Sequence, residues 1–109
     1  MQDFIISFNH VSNEVHKTAV EKGWWEKERN EGELIALEHS ELSEGLEALR
    51  KNKRSNKIPG FLGIEEELAD CIIRIMDHAV SRNYRLSEAL IAKIEFNKSR
   101  SYKHGGKNF

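Results

Sequence analysis

The residues best suited to chemistry are four carboxylates in two pairs. Glu38 and Glu41 are three residues apart, and so are Glu67 and Asp70. At that spacing each pair shares one face of a helix. If two such faces meet, the like charges repel and raise one another's pKa. A hard divalent cation removes the penalty, and a site built of oxygen ligands alone suits Mg²⁺ or Mn²⁺, not Zn²⁺.

Helices are what must position them. On a wheel of about 100° per residue, Leu34, Ile35, Leu42, Leu46 and Leu49 gather in one arc. Glu38 falls inside that arc and Glu41 on its margin, whereas Glu47 points away. A carboxylate aimed at a core is costly unless something pairs with it. The spacing therefore predicts a helix over about 33–50 with a chemically loaded apolar side. Ile64, Leu68, Cys71, Ile72, Ile75, Met76 and Ala79 predict a wide-faced helix over about 64–82, with Glu67 and Asp70 at the edge of its arc. Phe4, Phe8, Val11 and Val15 predict a first helix over about 3–22, stopped by Gly23. A fourth runs over about 87–98, with Ser87 as its expected N-cap. No stretch alternates like a strand, so the expected fold is an all-α, four-helix domain spanning 1–109. A short connection favours antiparallel packing of the second and third helices, which lets the four acids converge. The linker RKNKRSNKIPGFLG reads as a mobile basic loop, and residues 99–109 as a basic tail that is either flexible or ordered only by a ligand or another subunit.

The bulk numbers exclude several classes. A net charge of −1 over 109 residues gives no global basic field for nucleic acid. The single cysteine, Cys71, permits no intrachain disulfide and reads as core packing. There is no transmembrane-length apolar run and no basic, cleavable leader, so the expectation is a cytoplasmic protein. A chain this small leaves much surface exposed, which a homo-oligomer would cover.

The two acidic pairs in order, with LIALEHSELSEGLEALR around the first and EEELADCIIRIMD around the second, resemble the all-α nucleoside triphosphate pyrophosphohydrolases, the superfamily of MazG and the dimeric dUTPases. The ending KIEFNKSRSYKHGGKNF resembles small MazG-like proteins. The resemblance implies Mg²⁺-dependent cleavage of the α–β bond of a nucleoside triphosphate, giving a monophosphate and pyrophosphate, with nucleotide-pool cleaning as the role. It implies Glu38, Glu41, Glu67 and Asp70 as metal ligands, Mn²⁺ as a substitute ion, and a homodimer or homotetramer with the site near the subunit interface. Glu38 is the first choice to activate the attacking water and Glu44 the reserve.

Substrate contacts follow from charge and spacing. Lys93, Asn97 and Arg100 form one stripe of the fourth helix, suited to phosphate and sugar. Lys51, Lys53 and Arg54 of the basic loop are placed to close over phosphates. Trp24 or Trp25 would stack on the base, although a tryptophan is more often a packing or interface anchor. His39 and His78 read as structural, and Asp70 with Arg74 as an ion pair at i, i+4. Two other classes compete. One is a nucleotide- or metal-binding regulatory module with little turnover. The other is a di-iron carboxylate bundle, which the lack of Glu-x-x-His pairs argues against.

Overall fold

A computed structural model describes residues 1–100; the tail expected to be basic and flexible lies, from residue 101, outside the described residues. Four helices follow one another: α1 (Gln2–Glu21), α2 (Glu31–Arg50), α3 (Gly63–Ser81) and α4 (Leu86–Lys98). Among the described residues the only β pairing is an isolated bridge between Arg54 and Leu62. The all-α architecture is as the periodicity predicts.

The helix ends have local causes. Asn30 starts α2 two residues earlier than expected, its side-chain oxygen accepting from the N–H groups of Gly32 at 2.7 Å and Glu33 at 3.4 Å. Such a cap is worth about 1 kcal/mol. Three helices end alike, on a residue in the left-handed region: Gly23 (φ 88°), Asn52 (φ 51°) and Asn83 (φ 58°). Each donates to the carbonyl three residues back, and the next residue donates five back, as in Trp24 to Ala19, Lys53 to Ala48 and Tyr84 to Ala79. Ser87 is not the cap of α4. Arg85 occupies that position without a side-chain cap bond, and Ser87 lies inside the helix, buried, donating to Asn9 Oδ1 at 2.8 Å. Its hydroxyl ties α4 to α1 instead of closing the helix end.

The central packing is α2 against α3, with α1 laid across α3 and α4 resting chiefly on α1. Contacts run in opposite order along the pair. Ala48 lies by Gly63, Gly45 by Ile64 and Glu67, Glu41 by Arg74, and Glu31 by His78, so the two helices are antiparallel. At Gly63 the helices nearly touch the loop: a Cβ there would stand 2.9 Å from the Lys53 carbonyl oxygen and 3.0 Å from Ala48 Cβ.

One expectation about α2 is corrected. Apart from Leu34, its leucine arc does not face the core. The buried face is Leu34, Glu41, Gly45 and Ala48. Ile35 is 43%, Leu42 50%, Leu46 58% and Leu49 57% exposed. The two stripes are neighbours on the wheel, and small residues win the inner one because they allow α3 to approach closely. Glu38 and Glu41 therefore sit inward while Leu42, Leu46 and Leu49 sit outward.

Candidate metal centre

The loop joining α2 to α3 is hydrogen-bonded to itself, which sets the register of the two acidic helices. Lys53 N–H donates to Ala48, Gly63 N–H to Lys53 and Ser55 N–H to Phe61. Ser55 Oγ donates to Glu66 Oε1 at 2.5 Å and accepts from the N–H groups of Lys57 and Ile58. In that register Glu41, Glu67 and Asp70 converge, with one carboxylate oxygen of each within 4.8 Å of the others. Among the described residues no other group of this kind occurs.

The charges there are strained. Glu41 is 7% exposed and accepts from Arg74 Nε at 2.6 Å. Burial alone would raise its pKa, but the bonds from Arg74 and Glu44 bring it below the usual carboxylate range. Glu44 is pushed up, first by its hydrogen bond to Glu41, then by burial and by the charges of Glu41 and Asp70. Glu67 rises to about 7, through burial first, then through Glu44 and Asp70. Like charges crowded this closely favour the protonated carboxyl, and a cation placed among them would favour the ionised one. The donors are all oxygen and they crowd one point, so the chemistry of the set fits Mg²⁺ or Mn²⁺.

Glu38, the fourth expected ligand, stands elsewhere. Its Oε2 lies 2.6 Å from His78 Nδ1, while His78 Nε2 lies 2.9 Å from Glu31 Oε2. Tyr84 donates to the same Glu31 oxygen at 2.6 Å. Burial lowers the pKa of His78, but the bonds to Glu31 and Glu38 outweigh it and hold the imidazole above its ordinary value. His78 is thus a structural clamp across α2 and α3. Glu44 takes the place beside Glu41 that the sequence reading gave to Glu38. The Glu41-x-x-Glu44 spacing was the available signal, because it lies on the face with small residues.

Two cavities flank the cluster. One, of ≈ 350 Å³, is lined by the acids Glu44, Glu47, Glu66 and Glu67 together with Lys53, Arg54 and Lys57. Arg54 is therefore near the acids, whereas Lys51 turns outward to Glu47 at 2.9 Å. The other, of ≈ 330 Å³, is lined by Glu41, Asp70, Arg74, Trp24, Ile73 and Val15 among others. Trp24 carries the Arg29 guanidinium 3.6 Å from its ring centre, with Arg74 at 5.0 Å. Trp25 is an anchor here: its indole N–H donates to both oxygens of Asp77, at 3.0 and 3.1 Å, and His16 Nδ1 lies 2.6 Å from Asp77 Oδ1. Lys93 and Asn97 are exposed on α4, and Arg100, expected on the same helical stripe, is exposed two residues beyond the helix end. The Lys93 ammonium and the Arg100 guanidinium lie 4.6 and 5.6 Å from the Phe96 ring centre, and neither residue lines either cavity.

None of the family models, curated proteins or solved structures compared with this chain matches it. Among the described residues no helix is long and apolar enough to cross a membrane.

Proposed function

We propose that this chain is a MazG-like, Mg²⁺-dependent nucleoside triphosphate pyrophosphohydrolase. The observation that supports the reading is the crowded acidic cluster, flanked by one cavity whose wall carries Lys53, Arg54 and Lys57 among four glutamates and by another that carries Trp24. Glu41, Glu67 and Asp70 would hold the ion, with Glu44 beside them. When bound, the ion supplies Lewis-acid polarisation of the phosphate and a more acidic water. Lys53, Arg54 and Lys57 neutralise the outer phosphates, which are the pyrophosphate leaving group. Glu44, its carboxyl poised above the usual range, orients and deprotonates the attacking water. Arg74 holds Glu41 in place and offsets the negative charge around it. The Trp24 cavity receives the base.

The working form is a homo-oligomer, at least a dimer. What supports this is the exposure of Leu42, Leu46 and Leu49 on α2 and of Leu68 and Ile72 on α3, apolar surface of the kind that marks a docking face. A second copy would cover it and also offers a route by which Lys93 and Asn97 of α4, with Arg100 just beyond it, meet a phosphate.

The test is pyrophosphate release from a panel of canonical, deoxy and modified triphosphates with Mg²⁺. Turnover that needs Mg²⁺ and vanishes in Asp70→Asn supports the enzyme. Tight nucleotide binding without turnover on any substrate would establish the regulatory module instead.

A further inference from the structure

Arg74 has more donors than its ion pair uses. Its spacing from Asp70 suggests a bond within α3, but the side chain crosses the seam instead, and its Nε donates to Glu41 Oε2 at 2.6 Å. An arginine carries its N–H donors in one planar fork, and this bond spends a single one. Among the described residues, the two terminal nitrogens of Arg74 have no hydrogen-bond acceptor. The Arg74 side chain keeps 30% exposure and lines the Trp24 cavity. Its guanidinium carbon lies 5.0 Å from the Trp24 ring centre, so the charged end, and not only the stem, stands beside that cavity.

What lies on either side gives those donors a use. Glu44 and Glu67 line the cavity that carries the loop cations, and Glu41 and Asp70 line the Trp24 cavity. The converging oxygens of Glu41, Glu67 and Asp70 therefore stand between the two. In a nucleoside triphosphate the α-phosphate sits between the sugar and the outer phosphates. With the outer phosphates at Lys53, Arg54 and Lys57 and the base at Trp24, the α-phosphate lies over the acids. Two cations line the Trp24 cavity, Lys22 and Arg74, and of these Arg74 is the one bonded to the cluster.

We infer that Arg74 is a catalytic residue, whose terminal N–H groups grip a non-bridging oxygen of the α-phosphate while its Nε stays on Glu41. The inference rests on the hydrolase reading and supplies a side-chain contact at the reacting phosphate. In the step, the water oxygen bonds to the α-phosphorus and the water proton passes to Glu44. The bond from that phosphorus to the α–β bridging oxygen breaks, and pyrophosphate leaves with the electron pair. Charge redistributes over the phosphoryl oxygens as this happens, and a donor already fixed by Glu41 needs no reorganisation to meet it. A lysine is a point charge without a fixed fork, so at this position it serves Glu41 or the phosphate, not both.

The test compares the two products. With Mg²⁺ present, calorimetry measures the common deoxynucleoside monophosphates, the matching nucleosides and inorganic pyrophosphate on the wild type and on Arg74→Lys. The wild type should bind its preferred monophosphate about ten-fold more tightly than the nucleoside, the usual worth of a charge-assisted hydrogen bond. Arg74→Lys should lose that advantage while its affinities for pyrophosphate and for Mg²⁺ stay unchanged, and its rate of pyrophosphate release should fall about a hundred-fold. A wild type that binds monophosphate no better than nucleoside would overturn the inference. So would an Arg74→Lys protein that loses monophosphate and pyrophosphate affinity equally, because a residue that only holds Glu41 acts on both through the metal. A second readout needs no variant: in the wild type, the Arg74 side-chain N–H resonances should shift with monophosphate and stay in place with pyrophosphate, and no shift overturns the contact. If these binding results hold but no triphosphate is turned over, the hydrolase reading fails and the contact between Arg74 and the phosphate stands.

Discussion

Glu67 offers the sharpest test of the metal centre, because its proton and a metal ion compete for the same oxygens. With a pKa of about 7, the carboxyl is ionised in about 10% of molecules at pH 6, half at pH 7 and about 90% at pH 8. A divalent ion binds the ionised form, so its apparent affinity should rise roughly ten-fold from pH 6 to 8 and level off above. Glu44, also shifted upward, steepens the acid side. At pH 7 binding should release about half a proton from Glu67, which calorimetry of Mn²⁺ binding in two buffers of different ionisation enthalpy counts directly. Glu67→Gln should bind more weakly and lose most of the pH dependence. The metal-free protein carries the opposite signature. Its folded state keeps a proton that the unfolded chain gives up near 4.5, so this contribution is present at acid pH and fades as pH rises towards 7 and beyond. Allowing for solvent screening, the loss is of the order of 1 kcal/mol, and Mg²⁺ should restore it. An Mn²⁺ affinity that is flat from pH 6 to 8, with no proton released, would refute the crowded-carboxylate account.

Three further outcomes follow from the packing. Leu46→Glu places a charge in the exposed leucine stripe and should convert the oligomer to monomer in sedimentation while the circular dichroism stays helical; an unchanged assembly would put the interface elsewhere. Gly63→Ala should cost about 1–3 kcal/mol in urea unfolding, because the new methyl meets the Lys53 carbonyl and Ala48, neither of which is a flexible chain end. His78→Ala should cost about 2–3 kcal/mol by leaving Glu38 and Glu31 without their shared donor. The raised pKa of His78 fixes the sign of its pH dependence. Its contribution is complete below about 6.5, the unfolded value, and is lost as pH rises through the folded one, so wild type and variant should converge in stability on the alkaline side.

The helices were legible from apolar periodicity, and Gly23 from the demand for a left-handed residue. Asn52 and Asn83 do the same work, but an asparagine is ambiguous between cap, turn and helix surface until its φ is known. The inward side of α2 was misread for a definite reason. A wheel ranks faces by hydrophobicity, and in α2 the most hydrophobic face is the outer one. Close helix approach selects Gly45 and Ala48, which score weakly on such a wheel. Glu67, Asp70 and Glu41 remained correct candidates for convergence because their spacing holds whichever face turns inward. Glu38 separated from them because His78, forty residues on, lies where it can take that carboxylate. Nothing in the local spacing of Glu38 announces the pairing.

The self-bonded loop between α2 and α3 also bears on how the chain folds. Of the helix pairs in substantial contact, the two acidic helices are the pair whose contacts are least separated in sequence, and such contacts favour fast formation. The carboxylates would then be forced together before α1 and α4 arrive to shield them. Their repulsion becomes part of the kinetic barrier, and a divalent ion should speed refolding as well as stabilise the product. The order of assembly would place the site's electrostatic strain at the start of the pathway.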